Sequence, residues 1–261
     1  QAEDGIRDYY ASRGLGDVCK RQQYDGTNYE GWQKQNRTEE TVQGKFEKAL
    51  LKVTGEEVAV IGAGRTDSGV HALGQTANFH LKTSWACHDL ETALNEELPD
   101  TVNIEKLEKT DDRFHSRFDA VRKKYRYRIR TGPHKNVFER RFVWQYGKPL
   151  DTEAMKKGAT YLVGRHDFTA FCGNKKMKKS KVRTVESVTI ETKGDEISVV
   201  FVGDGFLQGM VRIMTGTLVE IGEGKRKAED IPLIFTSLNR ERAGFTAPPQ
   251  GLILESVSYD K

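Results

Sequence analysis

Cysteine is scarce in this sequence and poorly placed for chemistry. Its three cysteines, Cys19, Cys87 and Cys172, lie far apart and form no C-x-x-C pair. That excludes a disulfide framework and a zinc knuckle, and it makes a reducing cytoplasmic setting the expected one. Long apolar runs are also missing: no stretch approaches the length that spans a bilayer, and the first twenty residues are too polar for a secretory signal. Histidines are few and scattered, at 71, 80, 88, 115, 134 and 166. His71 and His80 have no companion at ligand spacing, so ordinary hydrogen bonding is expected of them rather than metal binding. A large excess of one charge is absent too, because 42 Lys and Arg face 38 Asp and Glu for a net charge of +4. So mild a basic excess suits a polyanionic partner without proving one. The chain is 261 residues long, enough for one large core or two ordinary domains.

Residues 1–23 show no clear periodicity and read as a disordered or non-native leader outside the fold. Beyond them, TVQGKFEKALLKV places Val42, Phe46, Leu50 and Val53 at helical spacing, with Thr38 or Thr41 available as a cap. EVAVIGAG and QTANFHL each alternate and predict two strands flanking a glycine loop. CHDLETALNEEL predicts a second helix, and TVNIEKLEK another strand. With a first strand near residues 18–25, this half spells β-α-β-β-α-β. The second half repeats the pattern. YRYRIR is its first strand, DTEAMKKGATYLV a helix opened by Asp151, and RTVESVTIE with EISVVFVG a strand pair turning at residues 193–195. GFLQGMVRIMTGTLVEIG follows as a helix with Leu207, Met210, Val211, Met214, Leu218 and Ile221 on one stripe, then a helix near 228–239 and the strand LILESVSY. The expected fold class is therefore α+β. Two ferredoxin-like (RNP-like) halves, 24–111 and 112–261, form a mainly antiparallel sheet with helices on one face and a ligand cleft between the halves.

The stretch GAGRTDSGVHALGQ, residues 62–75, sets Arg65 and Asp67 among four glycines. Glycine permits positive φ and close backbone approach, so such a turn can present a carboxylate into a cleft. An aspartate paired with an arginine is ionised at neutral pH, which suits a nucleophile or weak base rather than a general acid. The plain alternative is a surface salt bridge that pins a hairpin. A phosphate loop is excluded, since G-x-x-x-x-G-K-[ST] needs a lysine that is not there. Asp67-Ser68-Gly69 also has no second D-[ST]-G partner, as an aspartic protease would need.

YDGTNYEGWQKQ (24–35), TVQGKFEKAL (41–50), GAGRTDSGVHALGQ (62–75), FHSRFDA with KYRYRI (114–129), VGRHDF (163–168), GFLQGMVRIMTGTLVEIG (205–222) and TAPPQGL (246–252) occur in that order. Together they resemble the TruA family of tRNA pseudouridine synthases. The resemblance implies an isomerase that converts uridine to pseudouridine on the 3′ side of the tRNA anticodon stem-loop, working as a homodimer without cofactor or metal. It implies that Asp67 attacks the flipped uridine at C1′ or C6, and that Arg65 helps flip the base. It further implies that Tyr125 lies against the uracil, that Arg212 pairs with the aspartate, and that Leu207 contacts the substrate.

Local sequence supports these assignments. In KYRYRIR a strand puts Tyr125, Tyr127 and Ile129 on one side and Arg126, Arg128 and Arg130 on the other. Tyr127 and Ile129 are expected in the core, whereas Tyr125 at the strand's start is expected at the site. An unpaired Arg212 beside an apolar stripe would be costly, so a carboxylate partner is expected, with Asp67 the candidate. Two basic runs, RKKYRYRIR (Arg122, Lys123, Lys124, Arg126) and KKMKKSKVR (Lys175, Lys176, Lys178, Lys179), are expected to meet RNA phosphates. Three departures from the family pattern stand out. Ser68 follows the aspartate where alanine is common, a change that should be tolerated. Gln208-Gly209 replaces Tyr-Asn, and a glycine inside a helix is unfavourable, which predicts a looser turn and a less firmly placed Arg212. The apolar strand expected before Tyr24 is replaced by GLGDVCKRQQ, which predicts a weak or missing strand. The rival reading from another class is a tRNA-binding or tRNA-folding module without catalysis.

Overall fold

The computed structural model describes residues 16–259. The polar run before Tyr24 is a strand after all: β1 (Gly16–Tyr24) lies inside the sheet, antiparallel to both β3 (His71–Leu81) and β4 (Val102–Lys109). The leader expectation therefore fails for residues 16–23, while residues 1–15 lie outside the described residues. Ladder bonds are made by backbone groups, so two neighbouring strands can recruit a third whose side chains are poor strand formers. What polarity changes is the content of the core, because Val18, Lys20, Gln22 and Tyr24 alternate inward and are all buried.

The helices follow the apolar periodicity. α1 (Val42–Thr54) is capped by the Thr41 hydroxyl, which accepts from the Gly44 N–H at 3.2 Å. It buries Phe46 against Phe79 of β3, with ring centroids 5.6 Å apart. α2 (Cys87–Glu97) buries Leu90 and Leu94. α3 (Thr152–Leu162) starts at Asp151, whose carboxylate accepts from the Ala154 N–H at 2.9 Å. α4 (Met210–Gly222) buries nearly every residue, and α5 (Asp230–Ser237) follows it. EVAVIGAG contributes less than its alternation predicts. Only β2 (Ile61–Gly62) joins the ladder, against β3, while Val58 and Val60 are buried outside it.

The remaining strands are β5 (Ala120–Arg130), the two-residue β6 (Trp144–Gln145), β7 (Gly164–Asp167), β8 (Val182–Lys193), β9 (Glu196–Gly203) and β10 (Leu252–Tyr259). The fold is mixed α/β, and the described residues form five α-helices and one ten-stranded sheet in the order β4-β1-β3-β10-β5-β9-β8-β7, where β2 pairs with β3 and β6 with β5. Pairing is antiparallel except for β3–β10 and β5–β6. The parallel β3–β10 contact, through Ile253–His71 and Leu254–Ala72, joins the two halves of the chain. It also places the C-terminal strand beside the loop that precedes His71.

Candidate active site

Residues 63–70 connect β2 to β3, and the segment after β1 grips them from one side. Trp32 N–H donates to the Thr66 carbonyl at 3.1 Å, the Tyr29 carbonyl accepts from Gly69 N–H at 3.2 Å and from the Ser68 hydroxyl at 3.1 Å, and Tyr24 OH meets Thr66 Oγ1 at 2.9 Å. Gln75 Nε2 fastens the other end to the Gly64 carbonyl at 2.8 Å. Gly31 runs so close that a Cβ there would sit 2.7 Å from the Thr66 carbonyl, and its φ of +93° is itself a glycine conformation. YDGTNYEGW is thus the scaffold of the aspartate loop, a role its letters alone do not reveal.

Asp67 is held at the lip of this loop with its side chain 22 % exposed, and its cation is Arg212 of α4: Nη1 stands 3.2 Å from Asp67 Oδ2. This is the carboxylate partner expected for Arg212. Arg65 does not fill that role. It is exposed, and no ion pair joins it to Asp67 among the described residues. Arg212 is fixed in turn by Ala247, whose carbonyl accepts from its Nε at 2.7 Å while the Ala247 N–H donates to the Arg212 carbonyl at 3.1 Å. The next carbonyl, Pro248, accepts from Tyr127 OH at 2.6 Å. The TAPPQGL motif therefore positions the ion pair. The available signal was its two prolines, which have no N–H to donate and leave carbonyls free to accept.

Tyr125 is buried beside this pair, its ring edge-on to Phe206 with centroids 5.2 Å apart. Burial, followed by the charges of Tyr24 and Asp67, pushes its phenol well above the ordinary tyrosine range, so it remains protonated. Tyr127 and Ile129 are core residues, as their alternation predicts. Leu207 is buried just before α4, its N–H directed at Met210 Sδ at 3.4 Å. Gly209 lies outside the helix, at φ +68° immediately before Met210, so the looser turn expected there does not follow. The left-handed region is one that glycine and asparagine enter readily, which explains why either can stand at this position.

The predicted phosphate contacts divide. Lys123 shares the Tyr125 face of β5 and donates to the Ala63 carbonyl at 2.7 Å. Arg122, Lys124 and Arg126 alternate to the other face, where Arg122 pairs with Glu186 and the other two with Glu255. Lys175, Lys176, Lys178 and Lys179 are exposed on the loop before β8. No cluster of metal-ligating side chains is present among the described residues, and none of their helices is long and apolar enough to cross a membrane.

A sequence model described as tRNA pseudouridine synthase matches residues 21–119 and 159–260. The chain belongs to this family. Its relatives include the tRNA pseudouridine synthase A of Brevibacillus brevis, 46% identical over 236 residues that cover 90% of this chain and 96% of that protein. The protein of the same name from Thermoanaerobacter sp. (strain X514) is 46% identical over 237 residues, 91% of this chain and 97% of the relative. That from Bacillus licheniformis is 45% identical over 239 residues, with 91% and 96% covered. The matched segments include the aspartate loop and the α4 arginine but not β5, so the match spans Asp67 and Arg212 and leaves out Tyr125.

Proposed function

We propose that this protein is an isomerase that converts uridine to pseudouridine in tRNA, on the 3′ side of the anticodon stem-loop, with Asp67 as nucleophile. The observation that carries the proposal is the Asp67–Arg212 pair at 3.2 Å, partly exposed at the end of a braced loop and beside a buried tyrosine. Arg212 keeps the carboxylate aimed, while its remaining exposure leaves an oxygen for the substrate. Asp67 bonds to the flipped nucleotide at C1′ or C6; the N1–C1′ bond breaks, the uracil turns, C5 bonds to C1′, the Asp67 bond breaks to return the free carboxylate, the C5 proton leaves and N1 gains one. Atoms and electrons balance within the substrate, so the reaction calls for no oxidant or reductant.

Flipping a nucleotide costs a few kcal/mol, and stacking on an aromatic ring returns roughly 1–3 kcal/mol per base. Tyr125 and an inserted Arg65 match that cost in size. The exposed lysines at 175, 176, 178 and 179 supply nonspecific phosphate affinity, Leu207 lines the apolar side of the pocket, and the protein acts in the cytoplasm as a homodimer. We read the two halves as ferredoxin-like around a central cleft. Two matching sheet orders, β4-β1-β3-β2 and β10-β5-β9-β8, support that reading.

The test is incubation with unmodified tRNA transcripts and mapping of pseudouridine by position. Asp67→Asn should abolish product while tRNA affinity stays within a few fold, and a variant that still turns over removes Asp67 as nucleophile. A wild-type protein that binds tRNA but makes no pseudouridine would establish the non-catalytic module instead.

A further inference from the structure

Strand β5 carries cations along its length, and all but one of the residues from Arg122 to Arg130 that bear charge have an acid beside them. Arg122 meets Glu186 at 2.6 Å, Lys124 meets Glu255 at 3.0 Å, and Arg126 shares that glutamate. Arg128 lies 2.7 Å from both Glu139 and Glu196, and Arg130 lies 2.8 Å from Asp195. Lys123 is the exception: among the described residues no carboxylate comes within ion-pair distance of it, and its one hydrogen-bond acceptor is the neutral Ala63 carbonyl at 2.7 Å. Yet it is half-buried on the active-site face. A Cβ built on Gly64 would lie 3.4 Å from Lys123 Nζ and 3.9 Å from Tyr125 OH, so the ammonium and the phenol flank the same glycine of the aspartate loop.

The groups around Lys123 deepen the imbalance. Arg117, from the link between β4 and β5, and Arg183, on β8, both bear on it as like charges, and Asp204, after β9, is the opposing acid. Arg183 spends its Nη1 on the carbonyls of Ser180 and Val182, at 3.1 and 2.6 Å, and has no carboxylate partner among the described residues. Arg117 and Arg183 thus add like charge at the Lys123 ammonium, itself at the edge of the loop, against one acid. Desolvating a cation without an anion is costly, so such a cluster is built for a ligand that brings the negative charge.

We propose that Lys123, flanked by Arg117 and Arg183, is a phosphate subsite that takes a backbone phosphodiester of the substrate RNA beside the nucleotide at Asp67. This rests on the function proposed above. Lys123 is a positioning residue: it fixes the strand next to the flipped nucleotide and, through Ala63, ties that phosphate to the loop that carries Asp67. Burial, then the charges of Arg117 and Arg183, lowers its ammonium from the ordinary lysine range to about 8. A bound phosphodiester opposes both causes, so RNA binding and protonation of Lys123 reinforce each other.

The experiment measures the affinity of an unmodified tRNA transcript for the full chain as a function of pH and salt. Wild-type affinity should fall by up to about tenfold per pH unit above pH 8, as one proton must be taken up on binding. Lys123→Arg, charged throughout, should bind at neutral pH like the wild type and lose that fall. Lys123→Met should bind about tenfold more weakly at neutral pH, with no such pH dependence and a log–log salt slope smaller by about one. A Lys123→Arg variant that weakens with pH as the wild type does, or a folded Lys123→Met variant with wild-type affinity and slope, overturns the subsite. All three readings are of binding, so loss of the nucleophile assignment at Asp67 would leave them intact, and their failure would leave turnover by Asp67 untouched.

Discussion

Lys20 should weaken the protein at neutral pH, and replacing it should strengthen the fold. It stands on β1, the strand between β3 and β4, and its side chain is fully buried beneath α1, its amine over the Phe46 ring and hydrogen-bonded to Gln22 Oε1. Burial lowers its pKa well below the ordinary lysine value. An ordinary lysine titrates near 10.4, so at pH 7 the fold works against the charged form that the unfolded chain holds. A group whose folded pKa is depressed in this way binds more protons when unfolded. Its cost therefore shrinks as pH rises toward the unfolded value, by up to about 1.4 kcal/mol per unit. Lys20→Met removes the cost but leaves Gln22 Oε1 unpaired in a buried position, a penalty of about 1–3 kcal/mol. The net expectation is a gain in stability at pH 7 that is smaller at pH 9. Lys20→Met combined with Gln22→Leu removes the orphaned amide as well and should gain more. Urea unfolding at pH 7 and pH 9, followed by the fluorescence of Trp32 beside Lys20, measures both the difference and its pH dependence. A wild-type minus variant difference that does not change between the two pH values would mean that the lysine stays charged on the Phe46 ring, and the reasoning would fail.

Four further outcomes are expected. Gly31→Ala should cut turnover far more than tRNA affinity, because its Cβ would meet the Thr66 carbonyl at 2.7 Å and displace the aspartate loop; comparison of kcat with Kd checks this. Arg212→Lys should lower kcat while the melting temperature changes little, since a point charge cannot hold the Ala247 carbonyl and Asp67 together as the guanidinium does. Gly209→Asn should fold with nearly wild-type stability and Gly209→Val should lose at least about 1 kcal/mol by urea unfolding, because φ +68° tolerates the first side chain and not a β-branched one. Burial pushes the Cys19 thiol up to about 11, so iodoacetamide at pH 8 should leave Cys19 unmodified in the native protein and label it once urea has unfolded the chain, as read by peptide mass.

How far the fold could be read from the letters depends on which forces make each element. α1 and α4 were legible because their apolar stripes are the surfaces that pack, with Phe46 and Leu50 on one and Met210, Met214 and Leu218 on the other all fully buried. β1 was legible only as the strand near 18–25 that the β-α-β-β-α-β order requires, because its partners hold it through backbone bonds and no side-chain pattern in GDVCKRQQ records them. The two-residue strands β2 and β6 are shorter than any periodicity can register.

The candidate site divides along the same line. Asp67, Tyr125 and Arg212 were legible as residue types in recognisable motifs, and so was the pairing of Arg212 with Asp67, but the clamp of Arg212 by Ala247 was not. Sequence proximity made Arg65 the natural partner of Asp67, yet in a turn two residues apart the side chains need not share a side, and the cation that arrives comes from 145 positions downstream. The separation follows from the job each arginine is given. In the proposed reaction a cation that holds the carboxylate has to be rigid, as an α4 residue clamped by Ala247 is, whereas one that enters an RNA stack has to be exposed, as Arg65 on the loop is. Exchanging those demands on one residue would compromise both, and this predicts that Arg65→Ala impairs binding of base-paired substrate while a substrate whose target uridine is already unpaired recovers most of the loss. Equal loss on both substrates would place Arg65 with Arg212 in holding the carboxylate, and the division of labour would be wrong.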